Sequence, residues 1–155
     1  MDKEIRFNDD GTAEFNIHLV GDVTQQTYIG KFKVNSVLDP FQILNSGKRY
    51  RDLLGVNPAF ASETEMNLAF ALAQLEYRVI NPPPFWNNGN LKDLNVIMSV
   101  FDLSIQAEEQ YRIDQKKRVQ ESLEIIKSNL ERIKASQAPK EEDPDEMEQE
   151  LMDEE

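Results

Sequence analysis

The side chains that could do chemistry are few and scattered along the sequence. His18 is the only histidine and the chain contains no cysteine, which excludes disulfides, thiolate-held metals and a thiol nucleophile. His18 falls on the polar side of an alternating segment without a second histidine nearby, so we interpret it as structural or solvent-facing. The sequence contains no Gly-rich phosphate loop, paired-histidine motif or Gly-x-Ser-x-Gly elbow. We therefore predict that the protein is not an enzyme and uses no cofactor and no metal.

The remaining charged clusters have ordinary structural explanations. Asp9-Asp10-Gly11 fits a turn, and Glu108-Glu109 lacks the spacing of a calcium-binding loop. The cluster Arg49-Tyr50-Arg51 could bind an anion, but pairing with Asp52 or capping of helix carbonyls is the more usual role of such arginines. These groups predict no catalytic site.

Charge is distributed unevenly along the chain. The sequence has 29 acidic and 17 basic residues and a net charge of -12, and ten of the acids lie in residues 138–155 with one lysine. The preceding residues are nearly neutral and carry no basic stripe, which argues against nucleic-acid binding. We expect the acidic tail to be disordered when free and to aid solubility or attract a basic partner. No apolar run approaches the roughly 20 residues of a membrane span, and the N-terminus does not resemble a targeting signal, so we expect a cytoplasmic protein without a membrane partner.

The first elements predict an α+β fold. Residues 1–37 alternate between apolar and polar positions around two turns, which predicts a small three-stranded antiparallel β-meander with one apolar face. The residues expected on that face are Ile5, Phe7, Phe15, Ile17, Leu19, Tyr28, Gly30, Phe32 and Val34. Such a sheet needs a cover, and residues 38–106 are expected to provide it as a helical body in the same domain.

Two helices are predicted at the start of this body. Asp39-Pro40 marks the beginning of the first and Gly55 its end, because Asp caps helices and Gly tolerates the left-handed conformation that follows them. Four residues are expected to face the sheet: Phe41, Leu44, Tyr50 and Leu54. Ser62 and Glu65 form a capping box that begins a second helix, which should run to about Ile80 and be buried around most of its circumference.

Asn81 and three prolines should end the second helix. The aromatic pair Phe85 and Trp86 follows directly, either as a plug that closes the core or as an anchor for a partner protein. Residues 87–89 predict a turn, and Asn90 could cap a third helix. The segment 91–135 has neither Gly nor Pro, so it could form one helix or two, with an unmarked break near residues 102–107.

Residues 107–137 predict a projecting amphipathic helix with a narrow apolar seam. The seam consists of five residues spaced 4, 3, 4 and 3 apart, the spacing of a coiled coil: Val119, Leu123, Ile126, Leu130 and Ile133. It covers two heptads, fewer than the three or four of a secure coiled coil. A helix of this kind is marginal alone, so the seam must be buried by self-association, by the body or by a partner helix.

The order of short sequence words resembles the tail assembly chaperones of tailed bacteriophages. The words cover residues 28–115 and are Ile-Gly-Lys-Phe-Lys-Val at 29–34, Arg-Tyr-Arg-Asp-Leu-Leu-Gly at 49–55, Leu-Glu-Tyr-Arg-Val-Ile at 75–80, Pro-Pro-Phe-Trp at 83–86 and Leu-Lys-Asp-Leu-Asn-Val-Ile at 91–97. The resemblance implies a non-enzymatic protein that binds the tape measure protein, or another tail protein, and keeps it soluble until the tail tube polymerises. The seam would then bind the partner, with Phe85 and Trp86 as anchors, in the cytoplasm of an infected host cell.

A second hypothesis uses the same helix differently. A structural virion component, such as a neck, baseplate or minor capsid protein, would pair permanently through its C-terminal helix with itself or with a neighbour. Such a protein would be found in the mature virion in fixed copy number, whereas a chaperone would be absent from it.

Overall fold

The computed structural model describes residues 4–86 and 91–139, and it confirms the α+β class. Its elements, numbered here in chain order, are β1 (Arg6–Phe7), β2 (Thr12–Val20), β3 (Thr27–Asn35), α1 (Pro40–Leu54), a short 3-10 turn (Pro58–Phe60), α2 (Glu63–Arg78), β4 (Val79–Asn81) and α3 (Leu94–Gln137). The predicted turn at 87–89, the cap at Asn90 and most of the predicted tail at 138–155 lie outside the described residues.

The predicted meander is present and gains a fourth strand. The strands pair antiparallel in the order β1-β2-β3-β4. Phe15 lies opposite Phe32 in the register of β2 and β3, and their rings stack with centroids 5.7 Å apart. Gly11 turns the chain between β1 and β2 with a φ of 80°, which favours a residue without Cβ.

The strand β4 corrects the expected end of the second helix. We predicted a helix to about Ile80, but α2 ends at Arg78 and Val79 pairs with Val34 of β3. Two β-branched residues before a run of prolines favour extended backbone, and the free edge of β3 provides hydrogen-bond partners for it.

The first half of α3, together with Leu75 of α2, covers the apolar face of the sheet. The core consists of Ala13, Phe15, Ile17, Tyr28, Phe32, Val34, Leu75, Val96, Ile97, Val100, Leu103 and Ala107. All of these side chains are at least nine-tenths buried. The sheet is therefore covered by residues that lie far from it in the sequence.

The predicted ends of α1 are confirmed, but its predicted facing is wrong. Asp39 and Gln42 form a capping box, and Gly55 follows the helix with a φ of 65°. Phe41 and Leu44, which we expected against the sheet, are 78% and 70% exposed. The only buried residue of α1 is Ser46, whose hydroxyl accepts a hydrogen bond from Gln74 of α2. The helix α1 does not pack on the sheet because α3 already covers it.

The helix α2 begins with the predicted capping box of Ser62 and Glu65. From Leu68 to Arg78 it is buried on two sides, with Ala69 and Ala73 on one and Ala71, Leu75 and Arg78 on the other. The predicted burial around most of the circumference therefore holds only for this part, because the first turn is exposed and Phe70 is 45% exposed. Its buried residues are mostly small: Ala69, Ala71, Ala73, Leu75 and Arg78. Small side chains let neighbouring helices approach closely, which accounts for the tight contact of α1 with α2.

The helix α3 is continuous from Leu94 to Gln137, which answers the question of one helix or two and removes the suggested break near residues 102–107. The chain divides into two units, Met1–Asp114 and Gln115–Glu155. From the sequence we placed the start of the C-terminal helical segment at residue 107. The last buried residue of α3 is Ala107.

Candidate interaction surface on the C-terminal helix

The seam lies on one exposed face of the helical residues 115–137. Val119, Leu123, Ile126, Leu130 and Ile133 are 57%, 60%, 54%, 52% and 51% exposed. Every residue from Lys116 to Pro139 is exposed. A row of five large aliphatic side chains in water is unusual for a protein surface and is typical of a binding site.

The residue types explain why this segment is a helix without a core of its own. It contains no Gly or Pro and is rich in Glu, Lys, Arg, Gln and Leu, which have high helix propensity. Lys117 and Glu121 lie one helical turn apart with their charged atoms 4.0 Å apart, and such exposed pairs add a few tenths of a kcal/mol. Helix propensity and surface pairs therefore support the segment, while its apolar row contributes no burial.

Phe85 and Trp86 are half-buried and pack on the core of the first unit. The ring centroid of Phe85 lies 5.1 Å from that of Tyr28 and 6.1 Å from that of Phe32. The ring centroid of Trp86 lies 5.1 Å from that of Phe32, and all three pairs are edge-on. Gly30 makes room for this segment, because a Cβ there would fall 2.6 Å from the side chain of Pro83. This geometry supports the plug interpretation. The two rings belong to the first unit and the seam to the second.

Sequence reasoning missed a buried carboxylate at the start of α3. Asp93 is 0% exposed. It accepts hydrogen bonds from the backbone N–H groups of Val23 and Thr24 at 2.7 and 2.8 Å, from the Thr24 hydroxyl at 2.5 Å and from the Tyr28 hydroxyl at 2.6 Å. Gly21 lies so close that any Cβ there would collide with the carboxylate. The arrangement fastens the β2–β3 loop to the N-terminus of α3.

The hydrogen bonds set the protonation state of this group. Burial alone would raise the pKa of Asp93, but the donors Thr24, Tyr28 and Val23 outweigh it and hold the pKa well below its ordinary range. The same contact raises the pKa of Tyr28, because its hydroxyl donates to the carboxylate. An acid held ionised, with its oxygens fully occupied by protein donors, suits a structural tie and not proton transfer. The polar loop before β3 and the Asp at the helix start were its only signals in the sequence.

A second missed cluster joins α2 to α3. Arg78 is 4% exposed and donates from Nη2 to Glu108. Arg112 donates to the other carboxylate oxygen from Nε at 2.8 Å and from Nη2 at 2.6 Å. Burial acts to raise the pKa of Glu108, yet the arginines keep it below its usual value. Glu108 of the acidic pair is thus part of a structural ion cluster.

The arginine cluster at residues 49–51 has a different partner from the expected one. Arg49 pairs with Glu76 of α2 at 2.8 Å, not with Asp52. The contact of α1 with α2 explains this change, since it brings Arg49 on α1 beside the exposed Glu76 on α2. The structural role predicted for the cluster holds for Arg49 with a corrected partner.

The exposure of three further apolar residues was not predicted. Phe41 and Leu44 of α1 are 78% and 70% exposed, and Phe60 of the 3-10 turn is 85% exposed. The sequence signal was present, since Phe41 and Leu44 lie one turn apart. We assigned them to the core because an amphipathic helix beside a sheet normally packs on it.

Little in the described residues points to other chemistry. His18 is exposed on β2, as expected from its position in the strand. Within residues 4–86 and 91–139 no group of three or more His, Asp or Glu side chains could hold a metal ion. In the same ranges no helix combines the length and hydropathy needed to cross a membrane.

Comparison of the chain with protein-family models gave no match, and comparison with curated proteins and with solved structures gave no significant match. The function must therefore be argued from the surfaces of the molecule itself.

Proposed function

We propose that this protein is a non-enzymatic assembly factor that binds a helix of another protein through the seam. The observation that carries the proposal is the row of five aliphatic residues, each at least 51% exposed, along one face of a regular helix. Removal of apolar surface from water contributes about 25 cal/mol per Å². A partner helix laid along this row would provide that burial, in the mode of helix-to-helix recognition by spaced apolar anchors.

The client we propose is the tape measure protein of a tailed bacteriophage, bound during tail assembly in the infected cell. The support for this identity is the resemblance of the sequence words in residues 28–115 to tail assembly chaperones. A chaperone for a long, aggregation-prone helical protein must cover apolar helix surface and keep the complex soluble. The exposed seam suits the first task, and a chain of net charge -12 suits the second.

The test is co-expression with the tape measure protein, followed by size-exclusion chromatography. Replacing Leu123 and Leu130 by Asp places charge in the seam and should abolish co-elution. These residues are 60% and 52% exposed, so the fold should persist with unchanged circular dichroism. The matched control replaces Ser128 and Ala135 by Asp. These two residues lie on the face of the helix opposite the seam, so the control variant should co-elute normally. Co-elution of the seam variant at the wild-type level would remove the seam from the proposal.

The alternative function is that of a structural virion component. The strict heptad spacing of the seam favours it, because such spacing is typical of lasting coiled coils. Mass spectrometry of purified virions separates the two functions. A chaperone should be absent from finished particles, and a fixed copy number in every particle would support the structural component instead.

A further inference from the structure

The two polar rows that border the seam differ in charge. Lys127 and Lys134 each lie four residues after a seam leucine and form one border. Ser122 and Asn129 each lie one residue before a seam leucine and form the other. We call these the lysine border and the neutral border. In a two-helix pair, side chains in these two rows meet the border residues of the partner.

The lysine border has no internal partner in this helix. Among residues 115–139, the one ion pair within 4.0 Å joins Lys117 to Glu121, away from the seam. The lysines at 127 and 134 are therefore available to a carboxylate from outside. Six basic and three acidic residues lie in 115–137, so this segment is positive within an acidic protein.

The neutral border carries no charge, and one of its two residues makes a hydrogen bond within the helix. The Ser122 hydroxyl donates to the carbonyl of Arg118 at 2.9 Å, within its own helix. Beyond this border Ile125 is 62% exposed and widens the apolar face on that side. A partner needs no charge here and gains from additional apolar contact.

A second copy of the chain fits these borders poorly. In a parallel pair the lysine border of one copy would meet the neutral border of the other, without a single ion pair. In an antiparallel pair the lysine borders would meet each other and repel. Two heptads without charge pairing are too short for a stable homodimer, and a net charge of -12 on each copy adds repulsion.

We infer that the seam binds an amphipathic helix of a different protein that carries Glu or Asp along one border of its apolar row and uncharged or apolar residues along the other. The inference rests on the proposed function, because it specifies the partner of the same surface. The charge of the lysine border selects the partner, and the apolar row supplies the affinity.

The test uses two labelled three-heptad peptides with the same Ile and Leu row and measures their binding to the full chain by fluorescence anisotropy. One peptide has Glu in both border rows and the other has Lys, so like charges keep each peptide monomeric. The acidic peptide should bind roughly tenfold more tightly than the basic one, since each reversed border contact exchanges attraction for repulsion. Replacing both Lys127 and Lys134 by Glu should invert this preference.

The matched control replaces Arg118 and Arg132 by Glu. This change alters the net charge equally but in the row of Ile125, beyond the neutral border and farther from the seam than the lysine border, where salt at about 0.15 M screens its effect on the peptide. The control variant should keep its preference for the acidic peptide. A preference lost equally in both variants would show only long-range attraction and would overturn the inference.

Two further outcomes separate this inference from the proposed function. Equal affinity for both peptides, with binding that Leu123→Asp plus Leu130→Asp abolishes, would overturn the charge selection and leave the seam as a binding surface. Binding that this double substitution does not affect would overturn both. A seam-dependent dimer of the full chain in analytical ultracentrifugation, or equally tight binding of a peptide of residues 140–155, would assign the seam to this chain itself and also overturn the inference.

Discussion

The two halves of α3 are built from similar residues and do different things. In the first half Val96, Val100 and Leu103 are at most 1% exposed, because the sheet lies against them. In the second half Leu123 and Leu130 are 60% and 52% exposed. The spacing of aliphatic residues in a helix therefore predicts which face will be buried. It does not predict whether that face is buried by the same chain or by another protein.

The largest expected effect is on the buried half. Replacing Leu103 by Ala should lower the free energy of unfolding by about 3 kcal/mol, because it removes a fully buried side chain and leaves a cavity. Urea denaturation followed by circular dichroism measures this change as a lower midpoint with an unchanged slope.

The same substitution in the exposed half is the control. Leu123→Ala should change the free energy of unfolding by less than about 0.5 kcal/mol, as is usual for surface positions. Equal destabilisation by the two variants would show that the seam is already buried by the protein itself and is not free to bind a partner.

A smaller effect is expected at the tie between the β2–β3 loop and α3. Asp93→Asn should lower the melting temperature by several degrees at neutral pH, since an amide cannot accept all the hydrogen bonds that the carboxylate accepts. The pKa of Asp93 is depressed in the folded protein, so its stabilisation is fully present well above the ordinary Asp pKa of about 3.9 and is lost progressively as the pH falls from that value toward the depressed pKa. The variant should therefore show a flatter acid limb of stability.

Asp22→Asn is the matched control, because Asp22 is an exposed residue of the same loop. Thermal melts between about pH 3 and pH 7 compare the variants over the range in which carboxylates titrate. If Asp93→Asn had the same acid limb as the wild type, the carboxylate would not be ionised in the way the hydrogen bonds require.

Much of the fold could be predicted from local signals. The alternation of Phe15 and Ile17, the cap at Asp39 and the stop at Gly55 each depend on a few neighbouring residues, and each prediction is confirmed. The facing of α1 could not be predicted in this way. Phe41 would pack on the sheet if α3 did not, and this competition between distant segments leaves no mark on the local pattern.

The candidate surface was predictable for the same reason as the caps. Five aliphatic residues at heptad spacing on a charged helix are visible in the sequence, and their exposure is what the structure adds. Asp93 and Arg78 were not predictable, because their partners are distant along the chain: Thr24 lies 69 residues from Asp93, and Glu108 lies 30 residues from Arg78. The charges that border the seam can be assigned to two separate rows only because the helix is continuous through these residues.

The central claim is that residues 119–133 form the binding surface. Hydrogen exchange with mass spectrometry, on the protein alone and with the tape measure protein, tests it directly. We expect slower exchange on binding in peptides from residues 115–137, and unchanged exchange around Phe41 and around Phe60. Slower exchange around Phe41 or Phe60, with residues 115–137 unchanged, would contradict the claim.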